Sequence, residues 1–338
     1  MAAILFSSAD RKVVVLDIPA SIGHPPHLQL RSTTPLETPY TLPEPKDPTT
    51  SNLNASITET HERLIPVLTS ALSLACSTLD YFTQPRNTTP TPPTELDFHT
   101  NTQYLTPVAC PPFLLTQPST TLSDLSDIYS SITTNPSQKW RTLTLRHPAP
   151  EKHFHIPPRS SFLLAPVDDP TVRAIFIAGF ELRRLDFMLL DPPWPNRSAQ
   201  RKKGGYKTAD RFAIVPMLKR IPVRETVREG GLVAVWMTNR GGLRERFCEE
   251  VVRAWGCVVE AEWVWGKVTA QGEWCFNVES RVRKPYEILM ILRREGGAGA
   301  RLVEEKVLFA VPDLHSRKPA IKGLRSLLNT RWVAGGDY

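Results

Sequence analysis

The sequence lacks the roughly 18 consecutive apolar residues that a membrane-spanning helix needs. It also lacks a basic N-terminal region followed by a long apolar core, so we expect no secretory signal. The five cysteines are scattered, odd in number and without a CxxC pair, which predicts neither a disulfide framework nor a zinc site. These absences predict a reduced nuclear or cytoplasmic protein that is not secreted and has no membrane segment and no metal.

Charge and proline are distributed unevenly along the chain. Residues 1–150 contain 9 basic and 12 acidic residues and 20 of the 32 prolines, whereas the remainder contains 32 basic and 22 acidic residues. A basic second half favours a polyanionic partner, with a solvated basic face as the alternative. The content of hydrophobic residues, 41%, is sufficient for a folded core.

The first half reads as an accessory and targeting region, because it contains no motif that carries chemistry. Its pattern predicts two short strands over 3–18, a Pro/Thr-rich linker over 24–58, a helix over 59–83 and a short helix over 120–131. We divide the whole chain into an N-terminal strand pair (1–32), a Pro/Thr-rich, partly helical accessory region (33–158) and a catalytic domain (159–338).

The second half alternates buried strands with helices, which predicts an α/β doubly wound sheet. The predicted strands are 172–178, 185–190, 231–237, 257–268, 286–292 and 306–311. The predicted helices are 206–221, 243–255 and 320–328, the second of them ending at Gly256.

The most informative stretch is Phe187–Trp194, an apolar strand that ends in Asp191, Pro192, Pro193 and Trp194. Prolines donate no backbone hydrogen bond, so the strand ends there and leaves a carboxylate and carbonyl oxygens at its carboxyl end. Such a tip suits a ligand that donates hydrogens, for example an exocyclic amine. The structural alternative is an aspartate that caps a Pro-Pro turn with the tryptophan packed over it.

A basic loop, residues 195–211, follows this tip directly. Its position favours a phosphate-contacting gate with an aromatic ring for base stacking, against the alternative of a solvated surface loop. The candidate nucleic-acid-binding residues are Asn196, Arg197, Arg201, Lys202, Lys203, Tyr206 and Lys207.

Motifs in consistent order resemble those of the MT-A70 family of adenine-N6 methyltransferases, and its methyltransferase-like protein 4 branch in particular. They are DPPW (191–194), VAVWMTNR (233–240), EWVWGKVT (262–269), KPYE (284–287) and HSRKP (315–319). The resemblance covers residues 159–334, about half of the chain. It implies a permuted class I (Rossmann-like) sheet that uses S-adenosyl-L-methionine.

The resemblance also implies roles for individual residues. The tetrad Asp191–Trp194 would hold the target adenine and carry catalysis. Lys284, Ser316 and Lys318 fall where the family contacts the cofactor, and the loop after Trp194 resembles the family's gate loop. Pro195 stands where the family places an acidic residue.

One departure concerns the cofactor. In this family the strand that holds the cofactor's ribose and adenine comes last, and the sequence stops at Tyr338, where that strand would begin. We therefore expect a C-terminally truncated domain with weak or absent binding of S-adenosylmethionine.

The leading prediction is methyl transfer to N6 of adenine, in RNA in preference to DNA, with no metal. The competing prediction is a non-catalytic nucleic-acid-binding or partner protein that retains a truncated methyltransferase fold. A cytosine-N4 or protein-glutamine methylase that uses a similar tip is a third possibility. The residues predict no oligomeric state.

Overall fold

The main element of the protein is a seven-stranded mixed sheet. It is seen in a computed structural model that describes residues 3–21, 31–32, 34–43, 55–88, 104–147, 150–180, 184–195, 212–239, 241–280, 283–296 and 302–313. Numbered in chain order and given in spatial order, its strands are β1 (Ile4–Ser7), β2 (Val13–Leu16), β15 (Lys306–Ala310), β13 (Cys257–Lys267), β14 (Tyr286–Arg294), β12 (Val227–Met237) and β11 (Leu185–Leu190).

Strand direction places most strand ends of functional interest at one edge of this sheet. β11 runs parallel to β12, which pairs antiparallel with β14, and β14 pairs antiparallel with β13. β15 and β2 then continue parallel to β13. Several strand ends therefore lie together at one end of the sheet, which we call the carboxyl edge. They are the carboxyl ends of β11, β12, β13, β15 and β2 and the amino end of β14.

The sheet is buried on both faces. Val233 and Val235 of β12 belong to one core cluster. Ala234 and Trp236, which alternate with them, belong to the cluster on the opposite face. Near-continuous apolar strands of this kind are typical of sheets covered on both sides, and they confirm the predicted α/β class.

Helices contribute to the first of these two clusters. In the described residues they are α1 (Ala55–Cys76), α2 (Pro170–Gly179), α3 (Ile214–Arg220), α4 (Val223–Thr226) and α5 (Gly241–Arg246), with short 3-10 turns at Pro19–Ser21 and Leu125–Ile128. Leu64, Leu68 and Ala75 of α1 are buried in the cluster. The N-terminal half thus supplies two strands and a helix to the sheet that carries the second-half motifs.

The predicted strand over 172–178 is wrong, because this segment lies in α2. Asp169 caps the helix, its Oδ1 accepting hydrogen bonds from the backbone N–H groups of Thr171 (2.8 Å) and Val172 (3.3 Å). Pro170 occupies the first turn, where its fixed φ favours a helix. These start signals outweigh the β-branched residues that suggested a strand.

Of the short helix predicted over 120–131, the structure has the 3-10 helix Leu125–Ile128, and the preceding residues Ser119–Leu122 form a strand. Residues 113–164 contain two three-stranded sheets around a small core of their own. Their strands are β5 (Phe113–Leu114), β6 (Ser119–Leu122), β7 (Ile132–Asn135), β8 (Arg141–Leu145), β9 (Lys152–Ile156) and β10 (Ser160–Leu163); a separate short pair joins β3 (Arg31–Ser32) to β4 (Asn87–Thr88). Asp124 Oδ1 accepts from Ser126 N at 2.7 Å and caps the short 3-10 helix Leu125–Ile128, which ends at Tyr129 where the backbone becomes extended.

Other predicted helices are found in shortened or altered form. The helix predicted over 206–221 is seen as α3, and residues 206–211 lie outside the described residues. The helix predicted over 243–255 is seen as α5 followed by a π-helical stretch over Phe247–Val252. Gly256 ends it with a φ of 60°, as a glycine cap does. The helix predicted over 320–328 lies outside the described residues.

Close packing around Gly266 provides a stability test. A Cβ added there would lie 2.6 Å from Cε1 of Phe309 and 3.0 Å from the ring of Trp274. We expect Gly266→Ala to lower the free energy of unfolding by about 1–3 kcal/mol, since packed rings must shift. Gly242→Ala is the matched control, because nothing lies within 4 Å of its added Cβ. Thermal unfolding compares the two, and equal melting temperatures would contradict this packing.

Candidate active site

Polar residues next to three neighbouring strands lie at the carboxyl edge. Asp191 directly follows β11, Asn239 lies two residues beyond β12, and Lys284 lies two residues before β14. β11 and β14 are the two neighbours of β12, so these positions occupy successive places along the edge. In open α/β sheets, ligands bind outside the carboxyl ends of the strands. We therefore take this part of the edge as the candidate active site.

The Asp-Pro-Pro-Trp tip forms a tight turn. The backbone N–H of Trp194 donates to the carbonyl oxygen of Pro192 at 2.8 Å. Asp191 and Pro193 are exposed, whereas Pro192 is buried. Neither proline has an N–H, and a carbonyl oxygen that accepts one hydrogen bond retains a second lone pair. The tip therefore presents an exposed carboxylate and backbone acceptors, as its sequence predicts.

Trp194 is held in place by contacts with the neighbouring strand and helix. Its indole Nε1–H donates to the carbonyl oxygen of Trp236 at 2.6 Å. Its ring lies edge-on to Phe247 with centroids 6.2 Å apart. The ring is thus partly packed into the core and oriented by the end of β12, while it remains partly exposed.

Lys284 is buried at the start of β14. Its exposed fraction is 7%, and its Nζ donates to the carbonyl oxygen of Val278 at 3.1 Å. Because a buried ammonium is stabilised by anionic partners, this side chain fits a ligand that carries a carboxylate. Lys284 is the predicted cofactor-binding residue that the structure describes.

Asn239 lies at the candidate active site, and the sequence prediction assigned it no role. Its Nδ2 donates to the carbonyl oxygen of Tyr286 at 3.1 Å, which ties the end of β12 to the start of β14. The signal was present, since a polar residue after a buried strand is also what identified Asp191.

Helix α1 adds a second set of residues that the sequence prediction missed. His61 is 6% exposed and stacks on Tyr286 with ring centroids 6.0 Å apart. Its Nδ1 lies 3.4 Å from the Tyr286 hydroxyl and its Nε2 lies 3.3 Å from Oε2 of Glu279. A neutral imidazole that donates from Nε2 and accepts at Nδ1 satisfies both contacts. No local pattern links these residues, which lie more than 200 positions apart.

Burial shifts the titration of this cluster. Burial lowers the pKa of His61 from its ordinary value of 6.5, and the positive charge of Lys284 lowers it further, against the opposing effect of Glu279. Burial also raises the pKa of Tyr286 to about 12. The uncharged imidazole and the phenol are therefore the forms that fit the folded protein at neutral pH.

This predicts acid sensitivity that depends on His61. A histidine whose pKa is lowered by folding takes up its proton more readily in the unfolded chain, so its contribution to stability is complete above pH 6.5 and is lost as the pH falls below it. We expect His61→Gln to reduce the fall in melting temperature between pH 7.5 and 5.5. His153→Gln, at an exposed position, is the matched control. An unchanged pH slope in His61→Gln would contradict the assignment.

The remaining predicted site residues lie outside the described residues. They are Asn196, Arg197, Arg201, Lys202, Lys203, Tyr206 and Lys207 of the basic loop, and Ser316 and Lys318 of the predicted cofactor element. Within the described ranges, no group of three or more His, Cys, Asp or Glu side chains is placed to hold a metal ion. The described helices include none long and apolar enough to cross a membrane.

The mixed sheet and the acceptor-rich tip at its carboxyl edge define the class, a class I methyltransferase fold. The model of the MT-A70 family matches residues 185–332. The N6-methyladenosine RNA methyltransferase MTA1 of Pyricularia oryzae is 30% identical over 355 residues, covering 96% of this chain and 86% of that protein. The chain belongs to the MT-A70 family, which confirms the resemblance of its motifs.

Two further relatives match shorter parts of the sequence. The N6-methyladenosine RNA methyltransferase MTA1 of Cryphonectria parasitica is 41% identical over 180 residues, which is 52% of each chain. The N(6)-adenine-specific methyltransferase METTL4 of Mus musculus is 30% identical over 211 residues, covering 58% of this chain and 41% of that protein. The chain thus spans about half the length of the Cryphonectria relative and less than half of the mouse protein.

Proposed function

We propose that this protein transfers a methyl group from S-adenosylmethionine to N6 of an adenine in nucleic acid, in RNA in preference to DNA. The observation that carries the proposal is the tip, an exposed Asp191 carboxylate beside proline carbonyls at the carboxyl edge. Membership of the MT-A70 family supports the reaction. Two relatives named as RNA methyltransferases support the preference for RNA.

The chemistry of the adenine amine explains why a tip of acceptors is needed. The N6 lone pair is delocalised into the ring, which makes the nitrogen a weak nucleophile. Asp191 and a proline carbonyl accept its N–H groups, increase electron density on nitrogen and fix its direction. Trp194, oriented by the carbonyl of Trp236, offers its ring for stacking on the base. Positioning and electrostatics then provide most of the rate enhancement.

The described residues fit the cofactor on its carboxylate side. When bound, S-adenosylmethionine supplies an electrophilic methyl group on a sulfonium centre. Lys284 has the buried ammonium that a carboxylate requires, and it lies at the same edge as Asp191, two strand spacings or about 10 Å across the sheet. Ser316 and Lys318 are the other two proposed cofactor-binding residues.

The nucleic-acid strand is proposed to contact the basic loop that follows Trp194. Its candidate contacts are Asn196, Arg197, Arg201, Lys202, Lys203, Tyr206 and Lys207. Lysine and arginine side chains neutralise phosphates, and Tyr206 is available for stacking on a base. An RNA substrate is consistent with a location in the nucleus or the cytoplasm.

Thermal-shift titration with S-adenosylhomocysteine tests the cofactor site. A saturable rise in melting temperature supports the enzyme. No rise at any concentration, with RNA still bound, favours a non-catalytic nucleic-acid-binding protein.

Methylation of RNA and DNA oligonucleotides of the same sequence tests the substrate class. Faster methylation of the DNA would contradict the proposed preference.

A further inference from the structure

A second candidate binding site lies at the carboxyl edge, away from Asp191. It is a cavity of about 670 Å³ between residues 39–42 and the loop that joins β13 to β14. Tyr40, Trp274 and Phe276 contribute aromatic rings to its wall, and Thr41, Glu273 and Asn277 contribute polar side chains. We call it the Tyr40 pocket. A volume of this size admits a nucleobase with part of its ribose.

The walls of the Tyr40 pocket are anchored to the protein core. The backbone N–H of Tyr40 donates to the carbonyl oxygen of Cys275 at 3.0 Å. Trp274 pairs with Val268 through a β-bridge and lies edge-on to Phe309, with ring centroids 6.0 Å apart. The site is therefore largely formed before any ligand binds, which limits the entropy lost on binding.

The guanidinium of Arg283 lies beside two of these aromatic rings. The Arg283 Cζ lies 4.9 Å from the ring centroid of Phe276 and 5.7 Å from that of Tyr40, and its Nη2 donates to the Tyr40 hydroxyl at 2.7 Å. Arg283 is exposed and Tyr40 is 40% exposed, so a planar ligand can reach both. Aromatic rings beside an arginine plane are the surfaces on which proteins stack unpaired bases.

The Tyr40 pocket lies beside the proposed cofactor lysine and at some distance from Asp191. Arg283 immediately precedes Lys284, so a single loop carries the pocket wall and the proposed cofactor lysine. β11 and β13 are three strand spacings apart, or about 14 Å, which separates the pocket from Asp191 by more than one base. The net positive charge of the second half suits a polyanionic strand that crosses the edge.

We propose that the Tyr40 pocket binds a base of the substrate strand a few nucleotides from the methylated adenine. The inference rests on the proposed function, since it requires a nucleic-acid substrate. Stacking on Tyr40, with the phosphate near Arg283, fixes the register of the strand. The pocket thereby contributes to the choice of which adenine reaches Asp191.

The test is an abasic scan of a single-stranded RNA that the full-length protein methylates. Each position on either side of the methylated adenine is replaced in turn by an abasic site, and binding is measured by fluorescence anisotropy. For the wild-type protein we expect one flanking position at which loss of the base weakens binding by about 5- to 160-fold, the range for stacking of one base. In Tyr40→Ala that position should lose its effect, whereas Tyr40→Phe should retain it.

Two controls distinguish loss of the Tyr40 pocket from loss of folding and from loss of any exposed tyrosine. Tyr104→Ala removes a tyrosine that is 86% exposed and should leave the scan unchanged. Thermal melting establishes that Tyr40→Ala is folded. Two results would overturn the proposed role of the Tyr40 pocket but not the proposed function. One is a scan with no sensitive flanking position in a protein that methylates RNA. The other is the same scan in wild type and Tyr40→Ala. A wild-type protein that neither binds nor methylates RNA or DNA would overturn the proposed function and this inference together.

Discussion

Asp191→Ala should lower the rate of adenine methylation by about 100- to 1,000-fold, the loss typical of removing one group that stabilises a transition state electrostatically. The alanine variant removes the carboxylate that accepts an N–H of the amine, and water is a poor substitute because it is not held in position. Because Asp191 is exposed, the melting temperature should change little. Single-turnover methylation with saturating cofactor measures the effect on the chemical step.

A matched control lies on the same strand. Asp186 of β11 pairs with Arg228 at the surface, so Asp186→Ala removes a carboxylate without touching the carboxyl edge. It should retain near-wild-type activity, since exposed ion pairs contribute little to stability. Asp191→Asn keeps one acceptor oxygen and should fall between wild type and Asp191→Ala. Equal rates for Asp191→Ala and Asp186→Ala would remove the basis of the proposed mechanism.

Arg86→Met should cause the largest loss of stability among the substitutions considered. The side chains of Arg86 and Asp313 are only 2% and 0% exposed, and Nη1 lies 3.4 Å from Oδ2. Arg86 also donates to the carbonyl oxygens of Val311 (3.0 Å) and Pro312 (3.2 Å), beyond the end of β15. Burial lowers the pKa of this guanidinium, while Asp313 and Asp17 oppose the shift. Removing the cation from buried carboxylates costs about 3–5 kcal/mol, measurable as a fall in melting temperature.

The same cluster ties the first half of the chain to the sheet. Asp17, at the end of β2, accepts hydrogen bonds from the Thr83 hydroxyl (3.0 Å) and the backbone N–H of Gln84 (2.9 Å). Arg63→Met is the control, because Arg63 is exposed and its partner Glu262 also pairs with Arg244. Arg63→Met should lower the free energy of unfolding by at most about 1 kcal/mol. The double variant Arg86→Met/Asp313→Leu should recover part of the loss, and an Arg86→Met protein as stable as wild type would contradict this account.

The sequence predicts the parts of the fold that depend on local signals. β11 and the tip were evident because a continuous apolar run ends in two prolines. Alternation of apolar residues predicts the N-terminal strand pair over 3–18. The spacing of leucines predicts the helix seen as α1. The strand prediction for residues 172–178 is wrong because the helix start at Asp169 and Pro170 outweighs the β-branched residues that follow it. The small sheets of residues 113–164 were missed because strands such as β6 and β7 are short and rich in threonine.

The site was predictable only where a single segment carries its chemistry. Asp191 and Lys284 stand in recognisable motifs, whereas His61 and Tyr286 acquire their roles through a contact between segments 225 positions apart. The role of Arg86 likewise depends on Asp313, which lies 227 positions away. Such pairings follow from the tertiary fold, and composition led us to treat the first half as accessory.

The position of the transferred methyl group tests the proposed reaction most directly. RNA is incubated with the protein and S-adenosylmethionine that carries a deuterated methyl group, then digested and resolved by liquid chromatography and mass spectrometry. We expect labelled N6-methyladenosine with the wild-type protein and almost none with Asp191→Ala. Label on N4 of cytosine, or no label with a protein that binds the cofactor, would contradict the proposed reaction.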